Sequence, residues 1–269
     1  MRQTVLRIGK TLTEARIDHE IIVIDDGSSD RTAAEASVDG TVVLRHPVNG
    51  GYGRALKTGL YHARGDVIAI TDADGSYPAE ALPVLIAEVP PFDMVVGARQ
   101  GSHYFGSRAK RIGRLALQRM VLFVTGVRVP DVNSGLRVFR KQIALDNVSQ
   151  IGNGFSFTTT LTLAMLLEGH FVRYIPVAYD ARIGRSKVRL RRDIVRTLQI
   201  LVMAVTAYNP IKMFLLLTYI ALLGIIPSLL LDLLVAGGFH AGPIVAVGLA
   251  TALMLFGLGL ASDLLKRLI

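Results

Sequence analysis

Two carboxylate pairs stand out by residue type and spacing. Asp25 and Asp26 close the apolar run Ile21 to Ile24 and open the turn Asp25-Asp26-Gly27-Ser28-Ser29-Asp30, and Asp72-Ala73-Asp74 follows the run Val67 to Thr71 in the same way. In open α/β sheets ligands bind beyond the carboxyl ends of the strands, so acids at two strand ends mark a binding edge. The one-residue spacing lets Asp72 and Asp74 approach one hard divalent cation. Mg2+ or Mn2+ takes one or two carboxylates and completes its shell with phosphate oxygens and water. Either pair alone reads equally well as a polar loop with a helix cap; two acidic strand ends about 46 residues apart are a more specific pattern.

Between them lies Asn49-Gly50-Gly51-Tyr52-Gly53-Arg54-Ala55-Leu56-Lys57-Thr58-Gly59, a glycine-rich entry into a helix that could approach a nucleotide closely. It is not a Walker loop, since it lacks G-K-[ST], and Leu56 stands where a full dinucleotide fingerprint needs its third glycine. Downstream come Gly97-Ala98-Arg99, then Arg108, Lys110, Arg111 and Arg114, then Asp131-Val132-Asn133-Ser134-Gly135-Leu136-Arg137-Val138-Phe139-Arg140, and finally Arg182-Ile183-Gly184-Arg185-Ser186-Lys187. Such arginines form a solvated or lipid-facing surface, or clamp phosphates through bidentate hydrogen bonds beside a metal site.

These residues need a scaffold, and the pattern around them supplies one. Short β-branched runs (Ile21 to Asp25, Thr41 to Arg45, Val67 to Thr71, Met94 to Gly97, Phe171 to Val177) alternate with helix-like segments such as Tyr52 to Ala63, Ala79 to Glu88 and Arg108 to Thr125. Strand–helix alternation predicts an α/β domain, residues 1–180, with a mostly parallel sheet covered on both faces. Residues 181–210 read as a basic loop and amphipathic helices lying along a bilayer surface, because Arg182 to Arg196 holds seven basic residues against one acid. Met213 to Leu231 and Pro243 to Ser262 are uncharged runs of 19 and 20 residues, each long enough to span a bilayer. They predict transmembrane helices over 211–235 and 243–263, with the first bent at Pro227.

The connector Asp232 to Gly242 has no Lys or Arg, whereas both flanks are basic. By the positive-inside rule this is expected to be a hairpin in the cytoplasmic membrane with the α/β domain and both termini cytoplasmic. The opening 20 residues have no apolar run of secretory-signal type.

Composition narrows the field. Of 51 charged residues among 269, five fall in the last 59, and the net charge of +9 sits almost wholly before them. That charge favours anionic partners. The absence of cysteine excludes disulfide frameworks, thiolate nucleophiles and Cys-ligated metals, and fits a reducing compartment. Nucleic acid is not an expected partner, because the basic residues lack the aromatic interleaving of single-strand binders.

In this order, DDGSSD, NGGYGRALKTG, DAD, GAR, DVNSGLRVFR, RIGRSK and two C-terminal spans, the chain resembles the polyprenyl-phosphate glycosyltransferases related to dolichyl-phosphate mannose synthase. The resemblance covers nearly the whole chain and implies a family 2 enzyme of GT-A fold. Such an enzyme moves a sugar, with inversion, from a UDP- or GDP-linked donor to a polyprenyl phosphate at the cytoplasmic membrane face, using Mg2+ or Mn2+. Carried over, the donor site would comprise Asp25, Asp26, Gly27, Ser28, Asn49, Gly53, Lys57, Asp72, Ala73 and Arg99. Asp74, Asp72 and Ser76 would hold the metal, and Arg111, Arg114, Arg137, Arg182, Ser186 and Lys187 the acceptor phosphate. The catalytic group would be Asp72, Asp74, Arg99 and Asp131, the last as base or positioning residue.

Three positions depart from the family pattern. No P-x-Y-N-E segment precedes the first helix, so the sheet is expected to lack the usual first strand. Ser76 stands where glutamine is frequent, and threonines at Phe157-Thr158-Thr159-Thr160 replace an acid. A processive polysaccharide synthase is excluded by the absence of tryptophan from its Q-x-x-R-W element. A non-catalytic or truncated membrane-anchored relative that binds a partner is the alternative function. A homo-oligomer is compatible with the sequence and not specified by it, and neither sugar nor nucleotide is readable.

Overall fold

The computed structural model describes residues 1–101, 104, 108–149, 151, 156–180, 190–234 and 242–268. The chain divides into two compact units, Met1–Thr197 and Leu198–Ile269. In the first, the elements run α1 (Arg2–Glu14), β1 (Ile21–Asp25), α2 (Thr32–Ala36), β2 (Thr41–Arg45), α3 (Tyr52–His62), β3 (Val67–Ile70), α4 (Ala81–Ala87) and β4 (Met94–Gln100). They continue through α5 (Arg108–Thr125), β5 (Arg137–Arg140), α6 (Lys141–Asp146), α7 (Phe157–Leu167) and β6 (Val172–Ala178), and α8 (Leu190–Tyr208) runs across the division.

The five β-branched runs all form strands, and one further strand, β5, lies inside the DVNSGLRVFR segment. Its four residues, Arg-Val-Phe-Arg, carry a charge at each end, so no apolar run announces it. The strands pair as a parallel β1-β2 ribbon and a four-stranded sheet of order β3-β5-β4-β6. β4 and β6 are parallel, whereas β5 is antiparallel to both of its neighbours, so the expected α/β sheet with parallel pairs is mixed at its centre.

Alternation along the central strands splits the core into two layers. Met94, Val96 and Phe139 point to one face, with Leu60 of α3 and Phe157, Leu161 and Met165 of α7. Val95, Leu136 and Val138 point to the other, with Leu12 of α1 and Leu82 and Leu85 of α4. Each such side chain contributes about 1.5–3 kcal/mol on full burial, and Met94, Val95, Leu85 and Leu161 are completely inaccessible.

Helices α1 and α3 also reach the β1-β2 ribbon. A Cβ on Gly9 would stand 3.5 Å from Ile21, and one on Gly59 would stand 3.5 Å from Ile24, so small residues let both helices lie close to β1. Among the described residues, β1 and β3 each keep one unpaired edge.

In the second unit, α9 (Pro210–Leu223), α10 (Ile225–Leu234) and α11 (Gly242–Leu268) are apolar, and two stretches, Pro210–Pro227 and Gly242–Leu265, are long and apolar enough to cross a membrane. Asn209 caps α9 by accepting from the Lys212 N–H at 3.2 Å, with Pro210 at the first helical position. The interruption of the first stretch lies at Gly224, three residues before Pro227, where the sequence reading had placed the bend. Proline has no N–H for the carbonyl one turn earlier and its ring crowds that carbonyl, so the ladder gives way on the N-terminal side. α11 meets the other two helices through small residues: a Cβ on Gly248 would lie 2.7 Å from Ile225, and one on Gly259 would lie 2.7 Å from Phe214. Such close approach is how apolar helices pack without a hydrophobic drive between them.

Candidate active site

Because β5 runs against β3 and β4, the loop entering it, residues 131–136, lies at the same sheet edge as the loops leaving β3 and β4. Ile70 and Val96 both pair with Arg137, which brings Asp72, Arg99 and the Asp131 segment to one edge.

At the end of β3, Asp74 is held by its neighbour. Its Oδ1 accepts from the Ser76 N–H at 3.0 Å and from the Ser76 hydroxyl at 2.5 Å. Ser76, expected as a metal ligand, is fully buried, and its hydroxyl donates to Asp74. Asp72 Oδ1 accepts from the Tyr52 hydroxyl at 3.2 Å, and burial together with the Asp72 charge pushes that phenol's pKa well up, keeping it a donor. Gly135 faces the other side of the same carboxylate; a Cβ there would stand 2.6 Å from Asp72 Oδ2. Asp72 and Asp74 are both partly exposed and offer hard oxygens, which suits Mg2+ or Mn2+ sharing a diphosphate. Among the described residues no third acid or histidine joins them, so the ligand's oxygens and water must complete any shell.

Asp25 and Asp26 are both committed to the protein. Asp25 is buried, accepts from the Ser28 N–H at 3.0 Å, and lies 3.2 Å from the Arg45 guanidinium. Asp26 accepts from the Gly50 and Gly51 N–H groups, each at 2.8 Å, and from His46 at 2.7 Å. Burial alone would raise the Asp26 pKa, but these three donors outweigh it, and the carboxyl titrates below its ordinary value of 3.8. Both acids, expected to touch the nucleotide, are also bonded to the loops on either side of them. Gly27 (φ +70°) permits this, since a Cβ would stand 2.7 Å from the Val48 carbonyl carbon. Gly53 is buried at the start of α3, Asn49 and Ala73 are exposed, and Lys57 is half-buried with its pKa lowered by desolvation.

Arg99 and Asp131 form a bidentate pair, with Nε to Oδ2 and Nη2 to Oδ1 both 2.8 Å, and Asp131 also accepts from the Arg99 and Asn133 N–H groups. Burial disfavours the Arg99 charge, yet the Asp131 hydrogen bonds and charge more than offset it and raise its pKa. The guanidinium groups of Arg99 and Arg114 lie over the Tyr104 ring, 5.0 and 4.2 Å from its centroid, and Arg99 is also 5.4 Å from the Tyr179 ring. With four hydrogen bonds accepted, Asp131 suits a positioning role better than a base. Asp131→Ala would leave a guanidinium that is only 16% exposed without its partner. Breaking a buried pair in this way costs about 3–5 kcal/mol, so the mutant's thermal unfolding midpoint should fall by several degrees in detergent.

Arg137 is held inside the fold. Placed in sequence among the acceptor-phosphate residues, it is completely buried and donates to Ser134 O (2.8 Å), Val132 O (2.6 Å) and Thr162 Oγ1 (2.7 Å). It therefore braces the 131–136 loop from beneath. Thr159, one of the threonines replacing an acid, donates to Asn133 Oδ1 at 2.6 Å and holds the same loop. Arg111 is exposed on α5. Arg182, Ser186 and Lys187 lie outside the described residues.

Sequence reasoning passed over Tyr52, Tyr77, Tyr104, His46 and the role of Gly135. Tyr77 accepts from the Gly135 N–H at 2.7 Å and lies 3.2 Å from the Ser134 hydroxyl, with burial pushing its pKa up to about 12. A tyrosine immediately after the DADGS loop was the available signal.

The glycosyl transferase family 2 profile matches residues 2–146. A dolichyl-phosphate hexose transferase of Haloferax volcanii is 29% identical over 180 residues, covering 66% of this chain and 76% of its own. An undecaprenyl-phosphate 4-deoxy-4-formamido-L-arabinose transferase of Sodalis glossinidius is 32% identical over 227 residues, covering 79% of this chain and 66% of its own. The match spans only 40% of the enzyme of the same name from Enterobacter. Among solved structures, glucosyl-3-phosphoglycerate synthase of Mycobacterium tuberculosis with Mn2+, UDP-glucose and phosphoglyceric acid aligns with a TM-score of 0.58 at 19% identity over 72% of each chain. That likeness concerns the fold, which is of GT-A type. With the profile matching more than half of its length and the fold in agreement, this chain belongs to glycosyl transferase family 2.

Proposed function

We propose that the protein transfers a sugar, with inversion, from a nucleotide-sugar to a polyprenyl phosphate at the cytoplasmic face of a membrane. The observation that carries this reading is the convergence, at one sheet edge, of two partly exposed carboxylates with the braced Arg99–Asp131 pair, in a chain that also contains two apolar helices of spanning length. The H. volcanii and S. glossinidius relatives are named for transfers involving dolichyl and undecaprenyl phosphate, and the M. tuberculosis structural neighbour holds Mn2+ with a UDP-sugar.

In this mechanism a phosphate oxygen of the lipid attacks the anomeric carbon, and the nucleoside diphosphate leaves with the bonding electrons. A lipid phosphate is already anionic at neutral pH, so no strong base is required. The bound divalent metal would supply charge stabilisation to the departing diphosphate. Asp72 and Asp74 would hold it, with Tyr52 and Ser76 fixing their orientation. Arg99, kept rigid by Asp131 and Tyr104, would face the phosphates, and the glycine-rich turn at 49–53 would let the backbone approach the nucleotide. Arg111, Arg114 and the basic segment containing Arg182, Ser186 and Lys187 would gather the acceptor's anion. The helices would tether this chemistry to the bilayer, with the connector Asp232 to Gly242 on the far side.

The test is ligand-dependent stability of the detergent-purified chain, with UDP or GDP and with Mn2+, Mg2+ or neither. A ligand at 100 times its Kd adds about 2.7 kcal/mol, so a metal-dependent rise in the unfolding midpoint is expected with one nucleotide. No shift with either nucleotide would overturn the reading in favour of a non-catalytic relative.

A further inference from the structure

We propose that His46 is a positioning residue for the donor site, holding Asp26 in the one geometry in which that carboxylate organises the glycine turn at 49–51. The proposal rests on the reading of this turn as the place where the nucleotide approaches the backbone.

His46 directly follows β2, at the same end as the Asp25-Asp26 turn, and its N–H donates to Asp25 O at 2.8 Å. Its side chain is 15% exposed, and both ring nitrogens are engaged: Nδ1 lies 2.7 Å from Asp26 Oδ1 and Nε2 lies 2.9 Å from Thr58 Oγ1 on α3. A carboxylate only accepts, so Nδ1 carries the proton shared with Asp26. The same carboxylate receives the Gly50 N–H on Oδ1 and the Gly51 N–H on Oδ2. Gly51 has φ +95°, a conformation open to glycine and strained for other residues, and its freedom to leave that conformation is what the Asp26 hydrogen bond restricts.

The ring thus joins three pieces of chain: the end of β2, the turn after β1, and the second turn of α3. The next residue after Gly51 is Tyr52, whose hydroxyl donates to Asp72. His46 therefore reaches the metal-facing carboxylate through a short run of bonds while itself standing back from it. If the imidazole is lost, Asp26 keeps its charge but loses the donor that stops it rotating away from the two glycine amides.

The two nitrogens can be separated by substitution. The amide nitrogen of asparagine falls near the position of Nδ1, and that of glutamine near Nε2. His46→Asn should preserve the Asp26 contact, whereas His46→Gln should preserve only the Thr58 contact and His46→Ala neither. In titrations of UDP and GDP with Mn2+ onto the full chain in detergent, His46→Ala and His46→Gln should raise Kd about tenfold, the effect of one hydrogen bond to a charged group. His46→Asn should remain within about twofold of the parent.

A ring that merely fills space would make all three variants bind alike, and that result would overturn the proposal. So would nucleotide affinity unchanged in His46→Ala, with the donor-site reading left standing. A parent chain that binds neither nucleotide would overturn both together. Should His46→Ala fail to fold, the ranking of Asn over Gln still decides the matter.

Discussion

Asp74→Asn should purify as a folded protein and transfer about a thousandfold less sugar than the parent, corresponding to roughly 4 kcal/mol of lost transition-state stabilisation. The fold should survive because the bonds that shape the loop need only an oxygen at Oδ1, and asparagine provides one for the Ser76 N–H and hydroxyl. The amide then occupies the other position, where it donates and cannot bind a cation. Among the described residues no third acid or histidine is placed to join Asp72 and Asp74 at a cation, and the Asp131 carboxylate at the same edge is paired with Arg99, so the lost charge is not replaced. Turnover with each nucleotide-sugar, measured beside the unfolding midpoint with and without Mn2+, checks the expectation. Unchanged turnover would remove Asp74 from the metal site, and a protein that loses its fold would show that the Ser76 bonds require the full carboxylate charge.

Gly135→Ala should lower turnover by about a hundredfold, which is the order of effect expected from misplacing a catalytic group by about 1 Å. The added methyl would stand 2.6, 2.8 and 2.9 Å from the three atoms of the Asp72 carboxyl group, far inside an ordinary contact. Neither side yields freely. Asp72 is tied to Tyr52, and the loop is tied by the Gly135 N–H to Tyr77, by Ser134 to Gly97 O and by Arg137 from below. Gly113→Ala is the matched control, because a methyl there meets nothing within 4 Å and lies in the helix α5. Its turnover should equal the parent's. The comparison should be made on turnover, nucleotide affinity and unfolding midpoint together, and equal turnover for the two alanine variants would mean that the Asp72 position is not critical.

Much of this architecture was legible in the residues. The runs at Ile21, Thr41, Val67, Met94 and Phe171 announce their strands because they are short, rich in β-branched residues and bounded by turn residues. The apolar stretches near the C-terminus are equally plain, since length and composition alone decide whether a helix can cross a hydrocarbon layer. The clustering of acids at strand ends and the ordered series of motifs pointed to the family before any coordinates.

Tertiary structure decided which of those residues face outward. Asp26, Ser76 and Arg137 have the types expected of a binding site, yet each makes its hydrogen bonds within the protein, and Asp25 is buried beside Arg45. Sequence spacing specifies which atoms are near along the chain; the Asp74–Ser76 bond is of that kind, whereas Arg137 with Thr162 and Asp26 with His46 are joined across 25 and 20 residues. Strand β5 was hidden for a related reason: its arginine at the first position is buried by the loop it braces, so charge, which ordinarily signals solvent, here signals the inside. The amino-acid order thus determined the elements, the family and the chemical types at the site. Only the folded chain determined the division between polar residues left partly exposed at the sheet edge and polar residues that hold others in place, because that division depends on which polar groups find partners when water is removed.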